Sequence, residues 1–453
     1  MFKKLLVANR GEIACRILGT CRRLGIATVA VYSDSDKEAP HTRLADEAVY
    51  IGASPATDSY LRGDLIIAAA KQTGADALHP GYGFLSENAA FAQACLDAGI
   101  VFIGPKPASI NAIGDKISAK QLLKERAPTV PLIPGYNGDD QSNERLMAEA
   151  VKMGFPVLLK ASAGGGGKGM RVVRAKEHLL EEIELAKSEA RRSFGSDALL
   201  VERYFDRGRH IEASSRHVQI IGDQQGNVHH IYERECTIQR RHQKIIEEAP
   251  SAVMTESLRA RMTDAAICIG RLIQYEGVGT VEFIVDDATH EFYFLEVNTR
   301  LQVEHPVTES VTGLDLVELQ MHVASETPVP AAPIKGHAIE CRLYAEDPSQ
   351  NFMPCKWWWW WWWWASTDGT GPAYAVRIGS GPAIGSMVTI YYDPMIAKVT
   401  VWAETRALAI QRMQRALEQT QCLGLVTNQG FLLAILNHPR FAQGAFTTQF
   451  VEE

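Results

Sequence analysis

The chain of 453 residues has no Cys-x-x-Cys pair, no apolar run long enough for a bilayer, no surplus of basic residues and no P-loop. Each absence removes a class of function. Eight scattered cysteines (Cys15, Cys21, Cys95, Cys236, Cys268, Cys341, Cys355 and Cys422) argue against a structural zinc site. They read as reduced thiols in a reducing compartment, the cytoplasm or a mitochondrial matrix. A helical span needs about 20 apolar residues, and their lack predicts no membrane role. A formal net charge of −7 predicts no nucleic-acid partner, which would select a basic stripe. Met1-Phe2-Lys3-Lys4 runs directly into an apolar strand pattern, so no secretory signal is expected ahead of the fold. Gly164 and Gly169 have P-loop spacing, but Met170 stands where that motif requires lysine. The first turn, Asn9-Arg10-Gly11-Glu12, lacks the G-x-G-x-x-G of a dinucleotide site.

What is present is a run of chemically capable residues, Glu296-Val297-Asn298-Thr299-Arg300-Leu301-Gln302-Val303-Glu304. A strand sends alternate side chains to opposite faces. An extended run therefore puts Glu296, Asn298, Arg300, Gln302 and Glu304 on one face, with Val297, Leu301 and Val303 in a core. Its eight steps would cover about 26 Å, which predicts a path from a metal end to an anion end. Residues 279–285 form a strand pattern, and 286–290 read as a hairpin turn. Pairing Val285 with Glu291 sets Glu282 opposite Phe294 and diagonal to Glu296. Two such carboxylates suit Mg²⁺, which takes one or two protein carboxylates and completes its shell with substrate phosphate and water.

Residues 1–115 alternate short apolar strands with helical patterns, which predicts an α/β domain built on an open parallel sheet. Residues 116–135 read as a linker with a proline-rich hinge. Residues 136–203 read as a small α/β unit carrying the glycine loop, whose five glycines in six residues predict a mobile lid over phosphate. Residues 204–333 carry the hairpin, and residues 334–453 mix strands, at 388–392 and 397–401, with a helix over 405–420 in an α+β unit.

Four stretches carry a resemblance that covers nearly the whole chain. They are Leu6-Val7-Ala8-Asn9-Arg10-Gly11-Glu12-Ile13-Ala14, His79-Pro80-Gly81-Tyr82-Gly83-Phe84-Leu85-Ser86-Glu87-Asn88, Gln239-Arg240-Arg241-His242-Gln243-Lys244, and residues 296–306. Together they resemble the biotin carboxylase component of biotin-dependent carboxylases, an ATP-grasp enzyme. The resemblance implies an ATP-grasp domain flanked by N- and C-terminal biotin carboxylase domains. It implies a ligase that uses ATP, with Mg²⁺ or Mn²⁺, to activate bicarbonate as carboxyphosphate and carboxylate N1 of biotin on a carrier. It sets Lys116, Lys160, Gly165, Gly166, Gly167, Glu202, His210, Gln239 and His242 around ATP, and Glu282, Glu296 and Asn298 at the metal. Lys244, Arg300, Gln302 and Glu304 fall around bicarbonate, and Tyr82 and Arg342 near the biotin ureido group. Catalysis is expected from Arg300, Glu304, Lys244 and Arg342, with Glu304 as general base and the arginines on developing negative charge.

Residues 392–398, with Thr427-Asn428 and Phe431-Leu432, resemble the α chains of acyl-CoA carboxylases. The expected partners are a biotin carboxyl carrier, a carboxyltransferase subunit and further copies of the chain. No carrier module is recognised, and biotin is not expected on this chain. Two departures stand out. The family pattern R-H-x-E-x-Q is split here between Arg209-His210-Ile211-Glu212 and Arg216-His217-Val218-Gln219; His210 is favoured because Glu212 follows it. Residues 357–364 are eight consecutive tryptophans where the family has an ordinary turn. At about 150–250 Å² each they exceed the apolar patch a soluble monomer exposes, so the tract reads as a placeholder. Two rival functions share these features: another ATP-grasp carboxylate–amine ligase, and a nucleotide-binding module that has lost catalysis.

Overall fold

The computed structural model describes residues 2–163, 170–204, 208–209, 216–240, 243–286, 289–325, 333–354, 360–362, 376–380 and 388–452. The glycine loop, with Gly165, Gly166 and Gly167, lies outside them, as do His210 and His242.

The apolar runs near the N-terminus form the expected open parallel sheet. Its strands lie in the order Glu47–Tyr50, Ala27–Tyr32, Lys4–Val7, Ala77–His79 and Val101–Phe102. Helices connect them, as parallel strands require. Gly11–Leu24 follows the first strand and ends at Gly25 in the left-handed conformation, where glycine pays no Cβ penalty. Leu5, Val7, Ile13, Ile17 and Leu18 make one core with Leu301, Leu316 and Val317, so this domain is packed against the segment that follows the hairpin. Residues 116–126, within the expected linker, form the helix Lys116–Arg126, capped by Asp115, whose side chain accepts from the Ser118 N–H.

A four-stranded antiparallel sheet follows, in the order Gly135–Tyr136, Leu199–Arg203, Val157–Ala161 and Met170–Val173. Helices Asn143–Met153 and Leu179–Phe194 supply the other half of its core, through Leu146, Ala150, Leu179 and Ile183. A nine-stranded antiparallel sheet then carries the chemistry. Its path is Gly208–Arg209, Gly277–Asp286, Arg216–Gly222, Val228–Arg240, Gln243–Ala249, His337–Tyr344, Met395–Ala403 and Val376–Ser380, with Phe292–Asn298 paired to Gly277–Asp286. The sheet thus runs without a break from the central region into the C-terminal one.

Three local expectations are corrected. Val285 pairs with Phe292 rather than Glu291, and a bulge between Glu282 and Phe283 brings Glu282 directly opposite Glu296. Leu295 is the extra residue of that bulge, left without a cross-strand partner. The strand also stops at Asn298. Residues 299–304 turn, and Pro306 opens helix His305–Thr312, a position where its missing N–H costs nothing. The 26 Å path does not exist. Residues 388–392 form no strand but a turn ahead of Met395–Ala403, because Tyr392 is pulled toward the N-terminal domain. Its ring lies 4.1 Å from the Arg10 guanidinium carbon, and its hydroxyl donates to the Ser54 carbonyl at 2.6 Å. Of the tryptophan tract, residues 360–362 pair antiparallel with Gln421–Leu423.

Candidate active site

Because the strand ends at Asn298, the two ends of the polar run fold onto each other. Lys244, on strand Gln243–Ala249, is the hub. Its Nζ lies 2.9 Å from Glu304 Oε1, 3.3 Å from Gln302 Oε1 and 3.4 Å from Glu282 Oε1. Burial alone would push this ammonium toward neutrality; the carboxylates of Glu282 and Glu304 outweigh it and hold its pKa above the ordinary lysine value. Glu282 Oε1 also accepts from Asn298 Nδ2 at 2.8 Å and Gln302 Nε2 at 3.3 Å.

Glu304 is 1 % exposed, and its second oxygen accepts from Arg342 Nη2 at 3.0 Å. Arg342 comes from the distant strand His337–Tyr344 and donates through Nε to Glu247 Oε1 at 2.6 Å. Arg300 stands at the other side of the turn. Its Nε donates to Glu87 Oε2 at 2.8 Å and its Nη2 to Asn298 Oδ1 at 3.3 Å. Burial works against this guanidinium too, and Glu87 more than restores its pKa. Tyr82 donates to Glu12 Oε2 at 2.9 Å. Tyr82, Arg300 and Arg342 line one cavity of about 940 Å³, together with Arg10, Phe84 and Tyr392.

The residues expected around a nucleotide lie on the neighbouring elements. Lys116 Nζ is 3.3 Å from Glu296 Oε2, at the hairpin. Lys160 Nζ is 3.9 Å from Glu202 Oε2 across paired strands. Gln239 is buried, its amide donating to the Cys236 carbonyl at 2.9 Å. His217 pairs with Glu282 in backbone register. One residue was missed: Lys120 is 5 % exposed and ion-paired with Glu202. Burial, with the ammonium groups of Lys160 and Lys116, pushes its pKa well below the ordinary value. Spacing gave the signal, since Lys116 and Lys120 stand one helical turn apart and so share a face.

Among the described residues no group of three or more His, Cys, Asp or Glu side chains could hold a metal by itself. The directly opposed Glu282 and Glu296, with the Asn298 amide, instead offer a hard, two-carboxylate oxygen set. That set fits Mg²⁺ whose remaining positions are filled by phosphate and water.

Three family models match the chain in succession: "Biotin carboxylase, N-terminal domain" over residues 1–110, "Carbamoyl-phosphate synthase L chain, ATP binding domain" over 115–332, and "Biotin carboxylase C-terminal domain" over 340–453. The mitochondrial methylcrotonoyl-CoA carboxylase subunit alpha of Oryza sativa subsp. japonica is 49% identical over 99% of this chain, which spans 60% of that relative. The biotin carboxylase of Halalkalibacterium halodurans is 47% identical over 100% of this chain and 97% of its own length. Among solved structures, the Campylobacter jejuni biotin carboxylase in complex with an ATP species has a TM-score of 0.93 at 41% identity, covering 100% of this chain and 99% of the other. The biotin carboxylase domain dimer of Hydrogenobacter thermophilus 2-oxoglutarate carboxylase, in complex with MgADP, ADP and bicarbonate, also has a TM-score of 0.93 at 41% identity and covers 100% and 97%.

Proposed function

The chain belongs to the biotin carboxylase family, and from that premise we propose that it carboxylates biotin with ATP and bicarbonate, the first half-reaction of a biotin-dependent acyl-CoA carboxylase. The observation that carries this reading is Lys244, which touches Glu282 of the carboxylate pair and Glu304 of the anion site at once. One ammonium beside both is suited to hold a small anion against the terminal phosphate of a nucleotide.

In this reading Lys116, Lys160, Glu202, His210, Gln239, His242 and the backbone of Gly165, Gly166 and Gly167 hold ATP. Glu282, Glu296 and Asn298 would hold Mg²⁺, or Mn²⁺, which when bound neutralises charge on the phosphates. Arg300, Gln302 and Lys244 orient bicarbonate, and Glu304 takes its proton. The resulting oxyanion attacks the γ-phosphorus, ADP leaves and carboxyphosphate forms. Arg300 and Lys244 stabilise that mixed anhydride, whose carboxyl group is passed to N1 of biotin as phosphate departs and takes up the N1 proton. Tyr82 and Arg342 face the ureido group, Arg342 stabilising the enolate form of biotin.

The chain spans about 60% of the methylcrotonoyl-CoA carboxylase α subunits it matches, so the carrier, the carboxyltransferase subunit and assembly with further copies are part of the proposal. A solved relative described as a dimer supports the last of these. A reducing compartment, cytoplasm or mitochondrial matrix, is proposed likewise. Among the described residues no helix is long and apolar enough to cross a membrane, and several relatives are mitochondrial. The domain division proposed is 1–115, a linker at 116–135, the lid at 136–203, the central domain at 204–333 and the C-terminal domain at 334–453.

A coupled ADP assay tests the reading. ATP turnover should require Mg²⁺ and bicarbonate and rise with free biotin. Equal rates with and without bicarbonate, after degassing, would overturn it and return the amine-ligase alternative.

A further inference from the structure

Another buried lysine sits where three parts of the chain meet. Lys398, on strand Met395–Ala403, is 1 % exposed and lies directly opposite Arg342 in the sheet. Its Nζ donates to the Val303 carbonyl at 2.7 Å. Val303 is the residue between Gln302 and Glu304, so the C-terminal domain grips the backbone of the anion-binding turn at its middle. The charge is balanced by Glu12, from the first helix of the N-terminal domain, whose Oε2 is 3.0 Å from Lys398 Nζ. The same oxygen accepts from the Tyr82 hydroxyl at 2.9 Å.

A further observation fits. Gly379 pairs with Lys398 on the edge strand Val376–Ser380. A Cβ on Gly379 would come 2.6 Å from Glu12 Oε1. A side chain there would displace Glu12, so the small residue keeps room for the carboxylate beside the lysine.

Resting on the biotin carboxylase reading, we propose that Lys398 and Glu12 are positioning residues that couple the acceptor cavity to the anion site. Lys398 fixes the turn that aims Gln302 and Glu304, Glu12 fixes Tyr82 in the cavity wall, and the ion pair makes the two placements one. In the interior such a pair has no water to substitute for a missing member, so loss of either side moves both.

The test compares Lys398→Met, Lys398→Arg, Glu12→Gln and Gly379→Ala with the wild-type chain, by bicarbonate-dependent ATP turnover and free-biotin carboxylation. Lys398→Met should raise KM for bicarbonate and lower kcat, each by about tenfold or more, since a displacement near 1 Å is enough to cost up to 10²-fold. KM for ATP should stay within about twofold, because the groups expected around the nucleotide are not held by this pair. Lys398→Arg should recover part of the loss. Glu12→Gln should raise KM for free biotin as well as for bicarbonate, and the Lys398→Met/Glu12→Gln double variant should lose less than the product of the singles. Should Lys398→Met fail to fold, Gly379→Ala, which presses on Glu12 and leaves the lysine in place, should show the same split in milder form.

Wild-type KM values in folded Lys398→Met or in Gly379→Ala would overturn the coupling, as would equal increases for ATP and bicarbonate. Absence of bicarbonate-dependent turnover in the wild-type chain would instead remove the reading on which it rests.

Discussion

Lys244 Nζ lies 2.9 Å from Glu304 Oε1, inside a site where Glu304 is buried and its other oxygen is held by Arg342. The carboxylate is therefore fixed at both ends by cations. Glu304→Gln keeps the shape but replaces one acceptor oxygen, facing Lys244 or Arg342, with an NH2 and cannot take a proton. Turnover should fall by about 10²-fold or more, with KM for ATP nearly unchanged, by steady-state kinetics.

Arg300 should act in the same step. Arg300→Ala is expected to lower turnover, and the double variant with Glu304→Gln to lose less than the product of the two, since groups serving one step act as a unit. Independent losses in a double-mutant cycle would assign them to separate steps.

Glu282 and Glu296 face each other directly across the hairpin, so each should share the divalent ion. Glu282→Gln and Glu296→Gln should each raise the Mg²⁺ concentration for half-maximal turnover by about tenfold or more, given that even residues supporting a ligand cost 10–100-fold in affinity. A titration at saturating ATP reads this, and curves unchanged from wild type would remove the pair from the metal site.

Lys120 and Glu202 form a buried pair. Removing Lys120 leaves the buried Glu202 carboxylate with the longer contact to Lys160, and breaking a buried pair in this way costs up to about 3–5 kcal/mol. Lys120→Met should destabilise by that order in urea, while Lys120→Met with Glu202→Gln should recover much of it. Full recovery of stability without recovery of ATP affinity would tie the pair to the nucleotide.

Acid should destabilise the fold before most carboxylates titrate. Burial pushes His41 and His79 down to about 4, whereas an unfolded chain protonates them near 6.5. The unfolded state thus binds more protons as pH falls. Their contribution is fully present above about 6.5 and is lost as pH drops toward 4, by about 3 kcal/mol for each histidine. Denaturation midpoints between pH 7.5 and 4.5 measure it. His79→Asn, which retains an acceptor for the Gly81 N–H, should show a shallower decline.

Four strands of the N-terminal sheet were legible because each is a short apolar run, from Leu5 and Leu6 to Leu78; the edge strand Glu47–Tyr50, with three of its four residues exposed, was not. The strand of the hairpin was legible through the parity of Val297 and its neighbours. Its register was not, because the bulge at Leu295 adds one residue that no alternation pattern reveals. Nor was the end of the strand at Asn298. What turns the chain there is Glu87, which binds the Thr299 N–H and the Arg300 side chain from more than two hundred residues away. Pro306 was the local sign, a residue suited to a helix start. Lys120 was hidden for another reason: it shares a helix face with Lys116, but its burial depends on Glu202 of the four-stranded sheet, which only the fold brings to it.

The unbroken nine-stranded sheet has a consequence for modularity. Strand Gln243–Ala249 of the central region is zipped to His337–Tyr344 of the C-terminal one, so the boundary in sequence is not a seam in space. Exchanging the C-terminal region for that of a relative would have to reproduce this strand pairing. Expressing either side alone would leave a long sheet edge bare, a template for sticking to other chains. The two regions should be inherited, engineered and lost to proteolysis as one piece.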